Sequence, residues 1–444
     1  MYNLSVILLS FILMLFALFA VQPAGAVTLS STVTSLAALR TRWLTAKPWH
    51  VGEIYAEPSS AKAPYVAGAL APTFLDDGVR MLNFMRCLAG LPADLTLDPE
   101  GNVEAQHGAV LLAALGELTH FPTRPEDMPE DFYRPGRAAC GSSSISHGCN
   151  SLSDAVRDWM VDNGNLPHLG HRRWILSPEL QRTALGYCRE YSLMKCFGLR
   201  ESKRPAVPPY TAIPWPASGL FPHELFSPSE TWSVLLNPKE FKPSGTETVT
   251  VRRVSNGQMW ELSQANRDEK GKYLAVNTQG FGVPYCLAFR LPPAEVCIDE
   301  GEAYEVTVKG LTTPAGAPAT LSWRTEFVSL GAILTGIRIQ PSPDKGKRSY
   351  TLTFSTDLAI DTLTWRLKSA SDRGEGWFFS LGSGTVGPLP PGAHQLTLPI
   401  SENASVVKPG AGCWIEFVVT DRFTTTEYRR DFTVERITDG WPTG

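Results

Sequence analysis

The 444-residue sequence contains no run of like charge: 40 Lys and Arg stand against 44 Asp and Glu, a net of −4 spread along the chain. A phosphate-neutralising basic stripe is therefore missing, which excludes the footprint of a nucleic-acid or anionic-membrane binder. No CxxC pair occurs, so neither a cysteine-rich zinc site nor a thioredoxin-type redox site is expected. No GxSxG elbow occurs, and His223-Glu224 lacks the second histidine of a zinc-protease helix. The apolar run Val6 to Val21 spans 16 residues, broken by Ser10 and with no Lys or Arg before it. It falls short of the roughly 20 residues that cross a bilayer.

What is present begins with that run. Residues 1–26 fit a secretory signal, because Ala24-Gly25-Ala26 supplies a small-residue cleavage site. Cleavage leaves 444 − 26 = 418 residues with no stable membrane span, enough for two to four domains. The expected location is secreted, extracellular or periplasmic. A 43% hydrophobic content argues against disorder, and 35 Pro with 37 Gly supply the turns that all-β modules need. Eight cysteines in an exported chain suggest three local disulfide pairs, Cys140 with Cys149, Cys188 with Cys196 and Cys286 with Cys297. Cys87 and Cys413 are left over, on apolar segments, as buried free thiols.

Residues 27–76 form an extension whose Trp43 and Trp49 are expected to pack on the next domain. Residues 77–201 read as α+β. Asp76 or Asp77 caps a helix with Leu82, Met85 and Leu88 on its apolar face, and Asp98-Pro99 starts a longer one. His120 stands at the C-terminal end of that helix, where a cation or a metal ligand is favourable. Residues 121–150 are rich in proline and polar groups and read as a long loop. Thr183 to Tyr187 and Met194 to Leu199 read as a hairpin. Residues 202–224, with five prolines between Ser202 and Pro216, are the expected linker. Alternating segments then give one β-sandwich over 225–330 and a second over 331–444. Trp377 and Phe378 are candidates for sugar contact, and Asn403-Ala404-Ser405 is a glycosylation sequon.

Reactive groups concentrate between Asp154 and Leu176, DAVRDWMVDNGNLPHLGHRRWIL. Ser151 or Ser153 caps an amphipathic helix there, Asn163-Gly164-Asn165 stops it, and His171 opens a second short turn. Asp162, His168 and His171 are thus placed at one corner. The Arg172-Arg173 pair fits either an anion at a helix start or structural ion pairs, one of them to Asp162 or Asp158.

With LNFMRCLAGLPADLTLD, EAQHGAVLLAA, LTH, AVRDWMVD and LGHRRWIL in this order, the chain resembles the CAP superfamily of cysteine-rich secretory proteins, antigen 5 and pathogenesis-related proteins of group 1. The resemblance runs from about Asp77 to Cys196. It implies a CAP-type α-β-α sandwich for this part, so that with the alternating segments the expected fold class is α+β, a CAP-type α-β-α sandwich followed by two all-β immunoglobulin-like sandwiches. It also implies a cleft holding two histidines and two acids, in which His120, His171 and Asp162 match three positions. The fourth, an acid within Gly-Glu-Asn, is absent: the loop reads CGSSSISHG, with Ser143 central, and His147 or His168 is a substitute.

Two histidines and a carboxylate suit zinc with water as the fourth ligand, so His120 and His171 are the candidate metal ligands. The plainer reading is that Asp162 orients His171 and the groups satisfy a polar cleft. A Ser-His-Asp triad through Ser142, Ser143 or Ser144 has no elbow to support it. Two functions remain open: a secreted binding module for an apolar small molecule, an envelope component or a protein partner, and a metal-dependent hydrolase at the incomplete cleft.

Overall fold

The computed structural model describes residues 25–199, 203–266, 271–341, 349–370, 378–400 and 412–433. Residues 1–24 of the expected signal, Trp377 and the sequon at Asn403 lie outside them. No helix among the described residues is long and apolar enough to cross a membrane.

Six α-helices occur among these residues: α1 Leu36–Ala46, α2 Pro72–Leu88, α3 Pro99–Leu115, α4 Glu130–Gly141, α5 Leu152–Val161 and α6 Gly170–Ile175. Local chemistry sets most of their ends. Asp98 accepts from Gly101 N to cap α3, which closes on a left-handed Gly116. Ser151 accepts from Asp154 N to cap α5. The second helix starts earlier than the acids suggested: Pro72 occupies its first turn, and Asp77 lies inside it. The Asp77 carboxylate is instead spent on the backbone N–H groups of Trp49 and His50. Nor is 121–150 one long loop. It contains α4, with Pro135 inside it, and the strand Ser143–His147, because Gly136 lets α4 ride on the α3 backbone, where a Cβ would stand 2.9 Å from His107 O.

Strand Ser143–His147 pairs with Tyr191–Lys195, which pairs with Leu185–Cys188, all antiparallel. Arg189 and Glu190, both at positive φ, make the tight turn between the last two. Helices α3 and α4 cover one face with a small core of Ala105, Val110, Ala139 and Leu193. Phe74, Met85, Trp159 and Leu185 belong to the core on the other face.

That second core does not stop at the helices. It continues through Trp215, Phe221, Trp232, Phe289 and Trp323 of the first sandwich. The expected linker contributes to it directly: Ala212–Trp215 is an edge strand on Trp232–Leu236, and Gly219–Pro222 runs parallel to Pro318–Val328. The sandwich pairs a sheet of Ala26–Thr28, Gly219–Pro222, Pro318–Val328, Ala303–Thr312, Thr248–Arg253 and Met259–Ser263 with one of Tyr273–Asn277, Tyr285–Arg290, Trp232–Leu236 and Ala212–Trp215. The second sandwich has its own core, including Leu352, Trp365 and Phe417. Helix α1 fastens it to the rest: Arg40 donates to the carbonyl of Leu330 and to Asp357, and Trp43 Nε1 donates to Phe423 O.

These observations correct the expected fold class. Strand takes 39% and helix 23%, so the chain is β-rich and not built on a CAP-type α-β-α core. The sheet that the helices cover has three short strands, of four or five residues each. The helical part and the first sandwich bury their apolar faces in one continuous core.

The expected disulfides are corrected too, since all eight cysteines are free. Register explains one case. Cys188 lies opposite Tyr191 at the hairpin turn while Cys196 follows Lys195 at the far end, roughly 15 Å along at about 3.3 Å per residue. Cys286 sits inside a sheet opposite Leu235, whereas Cys297 is in a loop against Tyr304 and Asp299. Cys140 is on α4 with its thiol toward Gly108 O, and Cys149 lies beyond the next strand. Cys413 is buried as expected, and Cys87 is only partly so.

Candidate functional site

Asp162 joins the two helices of the dense segment. It ends α5 in a left-handed conformation, φ 50°, and its N–H bonds Asp158 O. One side-chain oxygen, Oδ2, accepts from the backbone N–H of His171 at 3.0 Å and of Arg172 at 3.3 Å. Leu169, the residue in the cap position of α6, offers no side-chain bond, so the carboxylate from α5 caps α6 in its place. The other oxygen, Oδ1, lies 2.9 Å from His171 Nδ1. A carboxylate only accepts here, so Nδ1 is the donor of this bond and Nε2 takes no part in it.

His120 reaches the same tautomer by another route. Its Nδ1 lies 2.9 Å from Cys140 O, one of the last carbonyls of α4 without an intrahelical partner. Again Nδ1 donates and Nε2 stays available. His120, His171, Asp162 and Ser143 line one cleft of about 910 Å³.

Serine chemistry is not assembled. Ser142 and Ser143 donate to Ala138 O and Ala139 O at the end of α4, and Ser144 lies 3.3 Å from Cys196 Sγ. His168 turns away from its expected place: Nδ1 accepts from the Asn277 amide at 3.0 Å. His147 does reach the cleft, its ring 4.2 Å from that of Tyr191.

Several cleft residues escaped the sequence reading. Phe281 arrives from the first sandwich, in the loop between Tyr273–Asn277 and Tyr285–Arg290, and packs where a Cβ on Gly170 would stand 3.2 Å from its ring. Trp174 and Phe197 stack at 5.4 Å, and Phe197 and Phe121 are 46% and 72% exposed at the rim. Asp158, one turn before Asp162, also lines the cleft. Asp158 is exposed at the cleft, yet partial desolvation pushes its carboxyl up, against the pull of His171 and with a further push from Asp162. Helical spacing from Asp162 was the one available signal for Asp158. For Phe281 there was none.

Among the described residues neither Arg172 nor Arg173 forms an ion pair. Both are fully buried and fasten α6 to the first sandwich: Arg172 donates to Met160 O, Val161 O, Thr231 O and Ser233 Oγ, and Arg173 to Val283 O, Gln279 O and Asn277 Oδ1. Burial lowers both guanidinium pKa values from their ordinary one.

A zinc ion does not fit this donor set. Asp162 has committed both oxygens, to His171 and to the α6 backbone, which leaves two imidazoles where three protein ligands are needed. Among the described residues no group of three His, Cys, Asp or Glu side chains is placed to hold a metal ion.

No family model matches the chain, and no curated protein matches it. Among solved structures it is similar to a DUF4785 family protein from Legionella pneumophila, 10% identical with a TM-score of 0.22, covering 55% of this chain and 65% of that one. A DUF3823 family protein from Parabacteroides merdae is 9% identical, TM-score 0.20, over 44% of this chain and 92% of its own. The YadV chaperone is 10% identical, TM-score 0.15, over 46% and 90%. The chain thus spans about two thirds of the Legionella protein's length. Likeness of this degree bears on neither the site nor its function.

Proposed function

We propose that the protein is an exported binding module that takes a small ligand with an apolar body into the cleft and does not transform it. One observation carries the reading: two histidines are held in the same tautomer by fixed acceptors, each with Nε2 free, in a cleft rimmed by Phe121, Trp174, Phe197 and Phe281. Wide apolar walls with a few oriented polar groups are the makeup of a small-molecule site. The likeness to CAP sequences supports the choice of His120, Asp162 and His171 as cleft residues, and it supports nothing about the fold.

Hydrolysis would need a nucleophile or a metal-bound water with a base beside it. The serine hydroxyls donate to helix carbonyls, and Asp162 is spent on positioning. Export rests on residues 1–26 alone.

The test uses purified full-length protein and its His120→Ala/His171→Ala double variant. N-phenyl-1-naphthylamine fluorescence should rise saturably with the parent and weaken in the variant. Ester, peptide and glycoside substrates, with and without added zinc, should give no turnover. Turnover lost in the variant would overturn the proposal, as would probe binding equal in the two proteins.

A further inference from the structure

Resting on that reading, we infer that the cleft selects an organic ammonium ligand, its apolar body against Trp174, Phe197 and Phe281 and its cation at the Asp158 carboxylate. The observation is a charge imbalance in the lining. Among the described residues the cleft is lined by no Lys or Arg, and by two carboxylates, Asp158 and Asp162. Asp162 is accounted for by His171 Nδ1 and two backbone N–H groups, with the buried Arg172 and Arg173 behind it. Among the described residues no ion pair joins Asp158, and His171 and Asp162 are the groups that act on it electrostatically.

The cations nearby are engaged elsewhere. Arg137 lies over the Phe121 ring at 5.1 Å and Arg173 over the Phe281 ring at 5.4 Å. Trp174 and Phe197 pack on each other at a tilt, and among the described residues no cation lies over either ring. A ligand amine placed here gains an ion pair with Asp158 and the negative faces of the exposed aromatics. A ligand carboxylate meets a like charge, with no Lys or Arg among the described lining residues to offset it.

Three probes of one shape separate the possibilities: 4-phenylbutylamine, 4-phenylbutan-1-ol and 4-phenylbutanoate, titrated calorimetrically into the full chain at pH 7.5. The amine should bind about fivefold tighter than the alcohol, the size of one partly solvated charge pair, and the acid weakest. Asp158→Asn should remove the amine's advantage over the alcohol. Asp158→Glu should keep the amine preference. Equal binding of all three probes, or an amine preference that survives Asp158→Asn, overturns the inference while leaving the cleft a binding site. Failure of every probe, with N-phenyl-1-naphthylamine also unbound, overturns the binding reading itself.

Discussion

Replacing Arg172 by methionine removes the fastening between α6 and the first sandwich while keeping an unbranched apolar stem of similar reach. Four acceptors lose their donor: Met160 O, Val161 O, Thr231 O and Ser233 Oγ, at 2.5, 2.8, 2.7 and 3.0 Å. Arg172 is 0% exposed, so water cannot take its place without opening the core. Each buried acceptor left unpaired costs about 1 to 3 kcal/mol, while loss of the guanidinium also removes its own desolvation penalty, so a net loss of about 4 kcal/mol is expected. Arg172→Lys should lose nearly as much, since one ammonium cannot span acceptors on α5 and on the strand Trp232–Leu236. Urea unfolding followed by tryptophan fluorescence measures it. The transition of the shared core should move and that of the second sandwich, which has a separate core, should stay. A loss below about 1 kcal/mol, or an equal shift of both transitions, would refute the claim that this arginine joins helices to sandwich.

Four further expectations follow from the same structure. Asp162→Asn keeps a residue type that tolerates φ 50° but replaces the acceptor of His171 Nδ1. The His171 imidazole should lose its fixed tautomer in histidine 15N spectra, and stability should fall by about 1 to 2 kcal/mol. Gly186→Ala puts a Cβ 2.3 Å from Ala105 O, backbone on backbone, and should cost about 3 kcal/mol or more in urea unfolding. Burial raises the Glu230 carboxyl above its ordinary value, so the folded state binds more protons than the unfolded one in the window above that value, and stability falls as pH rises through it. Glu230→Gln should flatten that slope above pH 4.5. Finally, alkylation of the denatured, unreduced protein should label eight thiols. In the native state Cys140 and Cys196, whose pKa values burial pushes up to about 12, should stay unlabelled.

Short-range chemistry was the legible part of this chain. Asp98-Pro99 before α3 and Ser151 before α5 are signals written within four residues of the ends they set, and the alternating segments TWSVLL and YCLAFRL lie where strands form. What failed was decided at long range. Pro135 and its polar neighbours resemble a loop until the α3 backbone is placed against Gly136. AIPW, with Pro214, gives no strand pattern of its own and is recruited as an edge beside Trp232–Leu236. The same recruitment erased the expected linker and joined helices and sandwich in one core. At the site, His120, Asp162 and His171, which all line one cleft, were suggested together by the resemblance to CAP sequences. The reason they suit binding better than chemistry was not, because it lies in the αL turn that aims both Asp162 oxygens at α6. Phe281, 110 residues beyond His171, could be seen only in three dimensions.

The most direct measurement of the central claim is a titration of 15N-histidine-labelled protein with 4-phenylbutylamine, read at the imidazole nitrogens. The account predicts that the Nε2 signals of His120 and His171 shift saturably with one dissociation constant, while their Nδ1 signals keep the protonated tautomer and His394, in the second sandwich, does not move. Saturable binding that leaves both cleft imidazoles unchanged would contradict it.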